Sequence, residues 1–148
     1  MRALLQRVSE AAVTVEGRVT GQIGPGLLVY TGVARSDTPT DARILAAKVA
    51  NLRIFEDDAD KLNLSVMDVG GEILAISNFT LQADTRKGRR PAFVNAAVGE
   101  QALPLYDAFT AALRREGVRV AEGVFAAHMT IHSVADGPVN VVVDVPVG

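Results

Sequence analysis

Strand-like segments occupy both ends of this 148-residue sequence, and two helix-like segments lie between them. Short runs rich in valine, leucine and isoleucine predict the strands, and Glu16-Gly17 is typical of a hairpin turn. The strands predicted before the first helix are 2–8, 11–15, 18–23 and 27–33. The last of these is almost wholly apolar, which is typical of a central strand covered on both faces.

Two helices are predicted from apolar residues at helical spacing. The first begins near residues 37–38, where a side chain that can cap a helix precedes Pro39. Its apolar positions are Ala42, Leu45, Val49 and Leu52. The second runs from about Glu100 to Glu116, and Gly117 can close its C-terminal end. Each helix therefore has one face for a core.

The remaining segments are strand-like again. The predicted strands are 52–55, 72–76, 118–120, 124–134 and 139–145. Because strands cluster before and after the helices without regular βαβ alternation, the pattern favours the α+β class over a doubly wound sheet. The length predicts one domain over 1–148, which can bury about 70% of the surface that its unfolded chain exposes.

Composition limits the chemistry that this chain can use. Cysteine is absent, which excludes disulfides, thiolate metal sites and a cysteine nucleophile. No apolar run reaches the roughly 20 residues of a membrane span, and Met1–Arg7 is interrupted by charge too soon for a signal peptide. We therefore expect a cytoplasmic protein without membrane segments.

Contact with nucleic acid must be local, because a formal net charge of −2 gives no global attraction to polyanions. The candidate is Arg86-Lys87-Gly88-Arg89-Arg90, with four cations in five residues. A solvated loop is the alternative interpretation.

His128 and His132 are the only histidines and would face the same side of a strand. A metal site is geometrically possible, but neither a third ligand nor the glutamate of a zinc-protease helix is evident. Histidines at a rim or interface are the preferred interpretation, with no metal and no cofactor. The acidic run 56–61 lacks the glycine and distal glutamate of a calcium loop and is interpreted as a solvated turn.

Two segments are less easily explained by structure alone. Ser77-Asn78-Phe79-Thr80 places three polar side chains at the end of a strand that looks buried, as is common at reactive sites. Asp136-Gly137-Pro138-Val139 interrupts a β-rich stretch with one permissive residue and one that lacks a donor. On its own, this second segment is typical of a hairpin turn.

Taken in order, five segments of this chain resemble the D-aminoacyl-tRNA deacylase family. They are 1–9, 51–57, 77–81, 87–91 and 136–139. The resemblance implies curled, mostly antiparallel or mixed sheets in a barrel-like arrangement, with two main helices. It also implies hydrolysis of the ester that joins a D-amino acid to the 3′ end of tRNA. If the basic segment is the local nucleic-acid contact, Lys87, Arg89 and Arg90 are the residues expected to meet tRNA phosphates.

The resemblance further implies a homodimer with its active sites at the interface. The Gly137-Pro138 peptide would be cis and inserted into the partner's pocket, where its carbonyl oxygens collide with the side chain of an L-amino acid. Glycine and D-amino acids escape this collision. Arg7 resembles the arginine that holds these carbonyls, a task that suits its five donors.

In the family, Ser77, Asn78, Phe79 and Thr80 correspond to the motif that receives the terminal adenosine and the ester. Thr80 could be a nucleophile, but an unactivated hydroxyl is weak. The preferred mechanism uses the ribose 2′-hydroxyl, with backbone N–H groups near Phe79 and Thr80 stabilising the oxyanion. Asn78 and Asn140 replace the usual glutamine and threonine.

Three other hypotheses stay open from the sequence. They are a deacylase tuned to glycine or another mischarged tRNA, a non-catalytic dimer that binds RNA ends, and a metal-dependent hydrolase that uses His128 and His132.

Overall fold

The computed structural model describes residues 1–146, which contain eight strands, two α-helices and one short 3-10 helix. The strands are β1 (Arg2–Val15), β2 (Arg18–Ile23), β3 (Gly26–Gly32), β4 (Phe55–Glu56), β5 (Leu62–Leu64), β6 (Glu72–Ser77), β7 (Arg119–Glu122) and β8 (Thr130–Asp144). The α-helices are α1 (Pro39–Asn51) and α2 (Gly99–Glu116), and the 3-10 helix is Phe79–Gln82. This is the predicted α+β class with two main helices.

One mixed sheet carries the fold. Its order is β2-β1-β3-β6-β7, and β8 pairs with β1 along most of the length of β1. The pairs that include β1 are antiparallel, whereas β3–β6 and β6–β7 are parallel. β1 is long enough that its first half pairs with β3 and its second half with β2. The predicted central position of β3 is confirmed, since β3 lies between β1 and β6.

The sheet curls until β2 approaches β7 at the other edge. A Cβ atom on Gly21 would lie 2.5 Å from the carbonyl oxygen of Glu122 and 3.0 Å from Cδ1 of Leu74, so only glycine allows this approach. The curled sheet encloses the smaller of two apolar cores. Its buried members are Val8, Ala11, Val13, Ile23, Leu28, Leu74 and Ile76. The sheet is therefore barrel-like and nearly closed, as expected.

The larger core contains the buried faces of α1 and α2 together with the other face of the sheet. Its largest fully buried side chains are Leu5, Leu27, Val29, Leu45, Ile73, Phe109 and Leu113. The predicted start of α1 is confirmed by a capping box, in which Oγ1 of Thr38 accepts from the Asp41 amide at 3.4 Å and the Asp41 carboxylate accepts from the Thr38 amide at 2.8 Å. α2 ends at Glu116 and is closed by Gly117, also as predicted.

Several predicted strands have different bounds. Segments 2–8 and 11–15 form one strand, because irregularities in the pairing let β1 bend without ending. Within 52–55 only Phe55 belongs to a strand, and 124–129 is a loop before β8. The prediction was wrong at these places because β-prone composition does not reveal whether a partner strand is within reach.

The predicted hairpin turn at Asp136-Gly137-Pro138-Val139 is also wrong, because β8 passes straight through it. Ala135 pairs with Val8 and Asn140 pairs with Gln6, so residues 136–139 lie opposite Arg7 alone. Pro138 has no N–H for the ladder, and Gly137 has a φ of 146°, which favours glycine. The segment is therefore a bulge within β8. Within the described residues 1–146, no helix is long and apolar enough to cross a membrane.

Candidate active site

A cleft of about 620 Å³ lies at the C-terminal ends of the parallel strands β3 and β6. Its walls are residues 77–80, the beginning of α2 and the loop that leads into β8. This volume lies within the range of small-molecule sites. Tyr30 contributes to one wall, and burial raises the pKa of its hydroxyl.

The four residues that the sequence proposes for the active site all line this cleft, namely Ser77, Asn78, Phe79 and Thr80. The backbone N–H of Asn78 donates to the carbonyl oxygen of Thr31 at 2.8 Å, which fixes the end of β6. The Asn78 side chain then caps the 3-10 helix. Its Oδ1 accepts from the Thr80 amide at 3.2 Å and from the Thr80 hydroxyl at 2.5 Å.

Two aromatic rings meet at the edge of the cleft. The Phe79 side chain is 57% exposed, and its ring packs edge-on against that of Phe93, with 5.1 Å between centroids. An exposed aromatic face beside a cleft is a surface on which a nucleic-acid base can stack.

The two histidines lie apart in the fold. His128 lines the cleft from the loop before β8, and His132 is exposed on β8 opposite Ala12. The prediction that both side chains share one face of a strand was wrong, because the strand begins at Thr130. Residues 1–146 contain no group of three histidine, cysteine, aspartate or glutamate side chains placed to hold a metal ion.

Arg7 lies in a different part of the fold, and its guanidinium group is nearly fully buried. Nη1 donates to Glu56 Oε2 at 2.7 Å and to the Ile54 carbonyl at 3.0 Å, and Nη2 donates to Glu56 Oε1 at 3.2 Å. Nε donates to the carbonyl oxygen of Asp136 at 3.1 Å. Arg7 therefore holds the main chain immediately before Gly137, one residue earlier than the sequence comparison implied.

Glu56 is the residue of this region that the sequence did not predict, because it lies in an acidic run that was interpreted as a solvated turn. The hydrogen bonds from Arg7 hold the pKa of the Glu56 carboxyl below its usual range. Arg7 itself was the sequence signal that could have indicated such a residue, because an arginine buried in an apolar strand needs an anionic partner.

The Gly137-Pro138 peptide is cis, and both residues are exposed. Neither residue lines the cleft. Arg7 pairs with Leu27, and Ser77 pairs with Thr31, which lies four residues further along β3. Arg7, which holds the segment before Gly137, and Ser77, which lines the cleft, are thus about 13 Å apart along the strand direction.

The basic segment is a hairpin that follows the 3-10 helix directly. Asp84 and Ala92 close its base through two backbone hydrogen bonds of 2.8 and 2.9 Å. Arg86 binds the Asp84 carboxylate at 2.9 and 2.6 Å and lowers the pKa of Asp84 to about 2. Lys87, Arg89 and Arg90 are exposed, and within residues 1–146 they form no ion pair. The hairpin therefore presents three exposed cations, and in the chain it follows the residues 77–80 that line the cleft.

These features define a small α+β protein with a nearly closed, curled sheet, a cleft at the ends of two parallel strands and a basic hairpin that follows one wall of the cleft in the chain. A profile described as D-Tyr-tRNA(Tyr) deacylase matches residues 4–144. Proteins named D-aminoacyl-tRNA deacylase from Deinococcus deserti and Deinococcus radiodurans are each 58% identical to this chain. Those alignments cover 99% and 98% of this chain and 100% of each relative. The chain belongs to the D-Tyr-tRNA(Tyr) deacylase family, as the sequence resemblance predicted.

Solved structures show the same fold. One described as "c-Myc DNA Unwinding Element Binding Protein" has a TM-score of 0.93 at 40% identity, and the match covers 99% of each chain. Another, described as a "probable eukaryotic D-amino acid tRNA deacylase", has a TM-score of 0.84 at 19% identity, covering 97% of this chain and 98% of the other. At that identity the second match supports the fold alone.

Proposed function

We propose that this protein hydrolyses the ester bond between a D-amino acid and the 3′ end of tRNA, releasing the free amino acid and the tRNA. The observation that carries the proposal is the cleft formed by Ser77, Asn78, Phe79 and Thr80, in a chain 58% identical over nearly its whole length to proteins named for this activity. The protein would act in the cytoplasm as a single domain without a cofactor, where aminoacyl-tRNA is made and used.

In the proposed mechanism, the ribose 2′-hydroxyl beside the ester assists its hydrolysis. Thr80 is a poor nucleophile because its hydroxyl donates to Asn78, and within residues 1–146 it has no hydrogen bond to a histidine. The backbone N–H of Thr80 already donates to Oδ1 of Asn78, so it is not available to the ester. The first N–H of a helix has no partner inside that helix, which leaves the Phe79 amide as the donor for the developing oxyanion.

Stereochemical selection is assigned to the carbonyl oxygens of Gly137 and Pro138, which would exclude the side chain of an L-amino acid. Since these residues do not reach the cleft of their own protomer, selection requires a second protomer. One edge of β8 is covered by no strand among residues 1–146, and this edge supports a homodimer. Two exposed apolar residues of β8 support it as well, Val134 (43%) and Val142 (56%). The active sites would then lie at the dimer interface.

The decisive experiment compares the hydrolysis of D-tyrosyl-tRNA, L-tyrosyl-tRNA and glycyl-tRNA by the purified protein. We expect rapid release of D-tyrosine, little release of L-tyrosine and no effect of a chelator. Measurable hydrolysis of glycyl-tRNA is expected because glycine has no side chain to exclude. Loss of activity with a chelator would favour a metal-dependent hydrolase that uses His128 and His132.

A second candidate is a dimer that binds RNA ends without turnover, and the structural neighbour described as a DNA-element-binding protein supports nucleic-acid binding by this fold. Binding of D-tyrosyl-tRNA with no release of tyrosine would favour this candidate over the deacylase.

The proposed mechanism has its own test. Thr80→Ala should keep substantial activity because the ribose supplies the assisting hydroxyl, whereas a D-tyrosyl-tRNA that ends in 2′-deoxyadenosine should resist hydrolysis. The reverse pattern would establish Thr80 as the nucleophile instead.

A further inference from the structure

Glu56 forms a two-point ion pair with Arg7 that joins two distant parts of the chain. Both carboxylate oxygens take part, Oε2 at 2.7 Å from Nη1 and Oε1 at 3.2 Å from Nη2. The guanidinium side of the pair is buried, with 5% of the side chain exposed, whereas 45% of the Glu56 side chain is exposed. A planar guanidinium held at two points has one orientation, because both oxygens must be met together.

That orientation determines what the rest of Arg7 can reach. With Nη1 and Nη2 directed at Glu56, Nε is left to donate to the Asp136 carbonyl at 3.1 Å. This carbonyl belongs to the bulge in which residues 136–139 have no ladder partner on β1. The bond from Arg7 is thus a direct attachment between this bulge and the body of the sheet.

A second carboxylate lies close enough to compete for Arg7. Oδ2 of Asp136 is 3.5 Å from Nε, compared with 2.7 Å between Nη1 and Glu56. If Glu56 lost its charge, the buried guanidinium would have Asp136 as its nearest anion and would turn toward that side chain. This movement would exchange a bond to the main chain for a bond to a side chain of the same bulge.

We propose that Glu56 is a positioning residue for stereochemical selection. It orients Arg7, and Arg7 holds the main chain immediately before Gly137 and Pro138. The inference rests on the proposed function, in which those two residues exclude L-amino acids. Glu56 itself touches neither the ester nor the amino acid.

The test compares Glu56→Ala and Glu56→Gln with the wild-type protein, using initial rates on D-tyrosyl-tRNA and L-tyrosyl-tRNA. We expect the ratio of D to L rates to fall at least tenfold in Glu56→Ala. A smaller fall is expected in Glu56→Gln, because the amide keeps one acceptor for the guanidinium. Asp58→Asn removes the same charge two residues away and should leave the ratio within twofold of wild type.

Hydrogen exchange supplies a readout that does not depend on activity. Backbone amides in the parts of β8 that flank the bulge and pair with β1, 133–135 and 140–142, should exchange at least tenfold faster in Glu56→Ala, while those of α2 are unchanged. An unchanged rate ratio in folded variants would overturn the proposal, as would unchanged exchange beside the bulge. If Glu56→Ala does not fold, Glu56→Gln decides by the same measurements. If the wild-type protein does not hydrolyse D-tyrosyl-tRNA, the proposed function fails, and hydrogen exchange still decides whether Glu56 holds the bulge.

Discussion

Substituting glutamine for Lys87, Arg89 and Arg90 in one triple variant should weaken tRNA binding and make the binding affinity less dependent on salt concentration. These cations are exposed on a hairpin that follows the residues lining the cleft. A cation that meets a phosphate releases a condensed counterion, so the number of such contacts sets the slope of log affinity against log salt concentration.

The structure gives the size of the effect. Of the four cations in the hairpin, Arg86 is already neutralised by Asp84 at 2.6 Å, which leaves three. Each contact to a single-stranded end contributes about 0.7 to the slope, so the triple variant should lose about 2. When the salt concentration rises from 50 to 200 mM, the affinity of the wild-type protein for tRNA should therefore fall by a factor about 20-fold larger than that of the triple variant.

Fluorescence anisotropy with deacylated tRNA, which carries no ester to hydrolyse, measures this slope at several salt concentrations. The matched control is Asp84→Asn with Arg86→Gln, which removes the ion pair without changing the net charge. Its slope should equal that of the wild-type protein, since the backbone bonds between Asp84 and Ala92 still close the hairpin. An unchanged slope in the triple variant, or an equal loss in the control, would refute the assignment of this hairpin to tRNA.

Three further predictions concern stability and ionisation. Gly21→Ala should lower the free energy of unfolding by about 1–3 kcal/mol in urea denaturation, because its Cβ would lie 2.5 Å from a carbonyl oxygen of β7, whereas Gly24→Ala should be neutral. Thr38→Ala should cost about 1 kcal/mol in the same assay through loss of the α1 cap. Because Arg86 lowers the pKa of folded Asp84 from 3.8 to about 2, the ion pair stabilises the fold above pH 3.8 and is lost as the pH falls to about 2. An NMR titration of Asp84 should therefore have its midpoint near 2, and Arg86→Gln should move that midpoint toward 3.8.

Elements with local signals can be predicted closely from this sequence. The Thr38 cap lies next to Pro39, and Gly117 follows the last turn of α2, so both helices are correct to within a residue or two. The path of β8, in contrast, cannot be predicted from local signals. Its continuation through Gly137 and Pro138 depends on β1 lying beside it, and that pairing joins residues more than 100 positions apart.

The candidate site divides in the same way. Residues 77–80 are identifiable because polar side chains end a buried strand, which is visible in the sequence itself. The ion pair between Arg7 and Glu56 cannot be identified from the sequence, because the two residues are 49 positions apart and Glu56 lies among other acidic residues. Only the fold shows which of several exposed carboxylates meets the buried guanidinium.

A filter made of main-chain atoms has a structural requirement that a filter of side chains does not have. Ladder hydrogen bonds normally hold the main chain of a strand, but residues 136–139 have left the ladder opposite Arg7. Free of the ladder, the carbonyl oxygens there can point outward, as the proposed selection needs. The same freedom would let them move, and the Arg7 bond to Asp136 restrains them. Because that arginine is buried, it needs an anion beside it, and Glu56 provides one. In the proposed selection, the bulge frees the carbonyl oxygens, the buried arginine restrains the backbone before them, and the exposed glutamate orients the arginine.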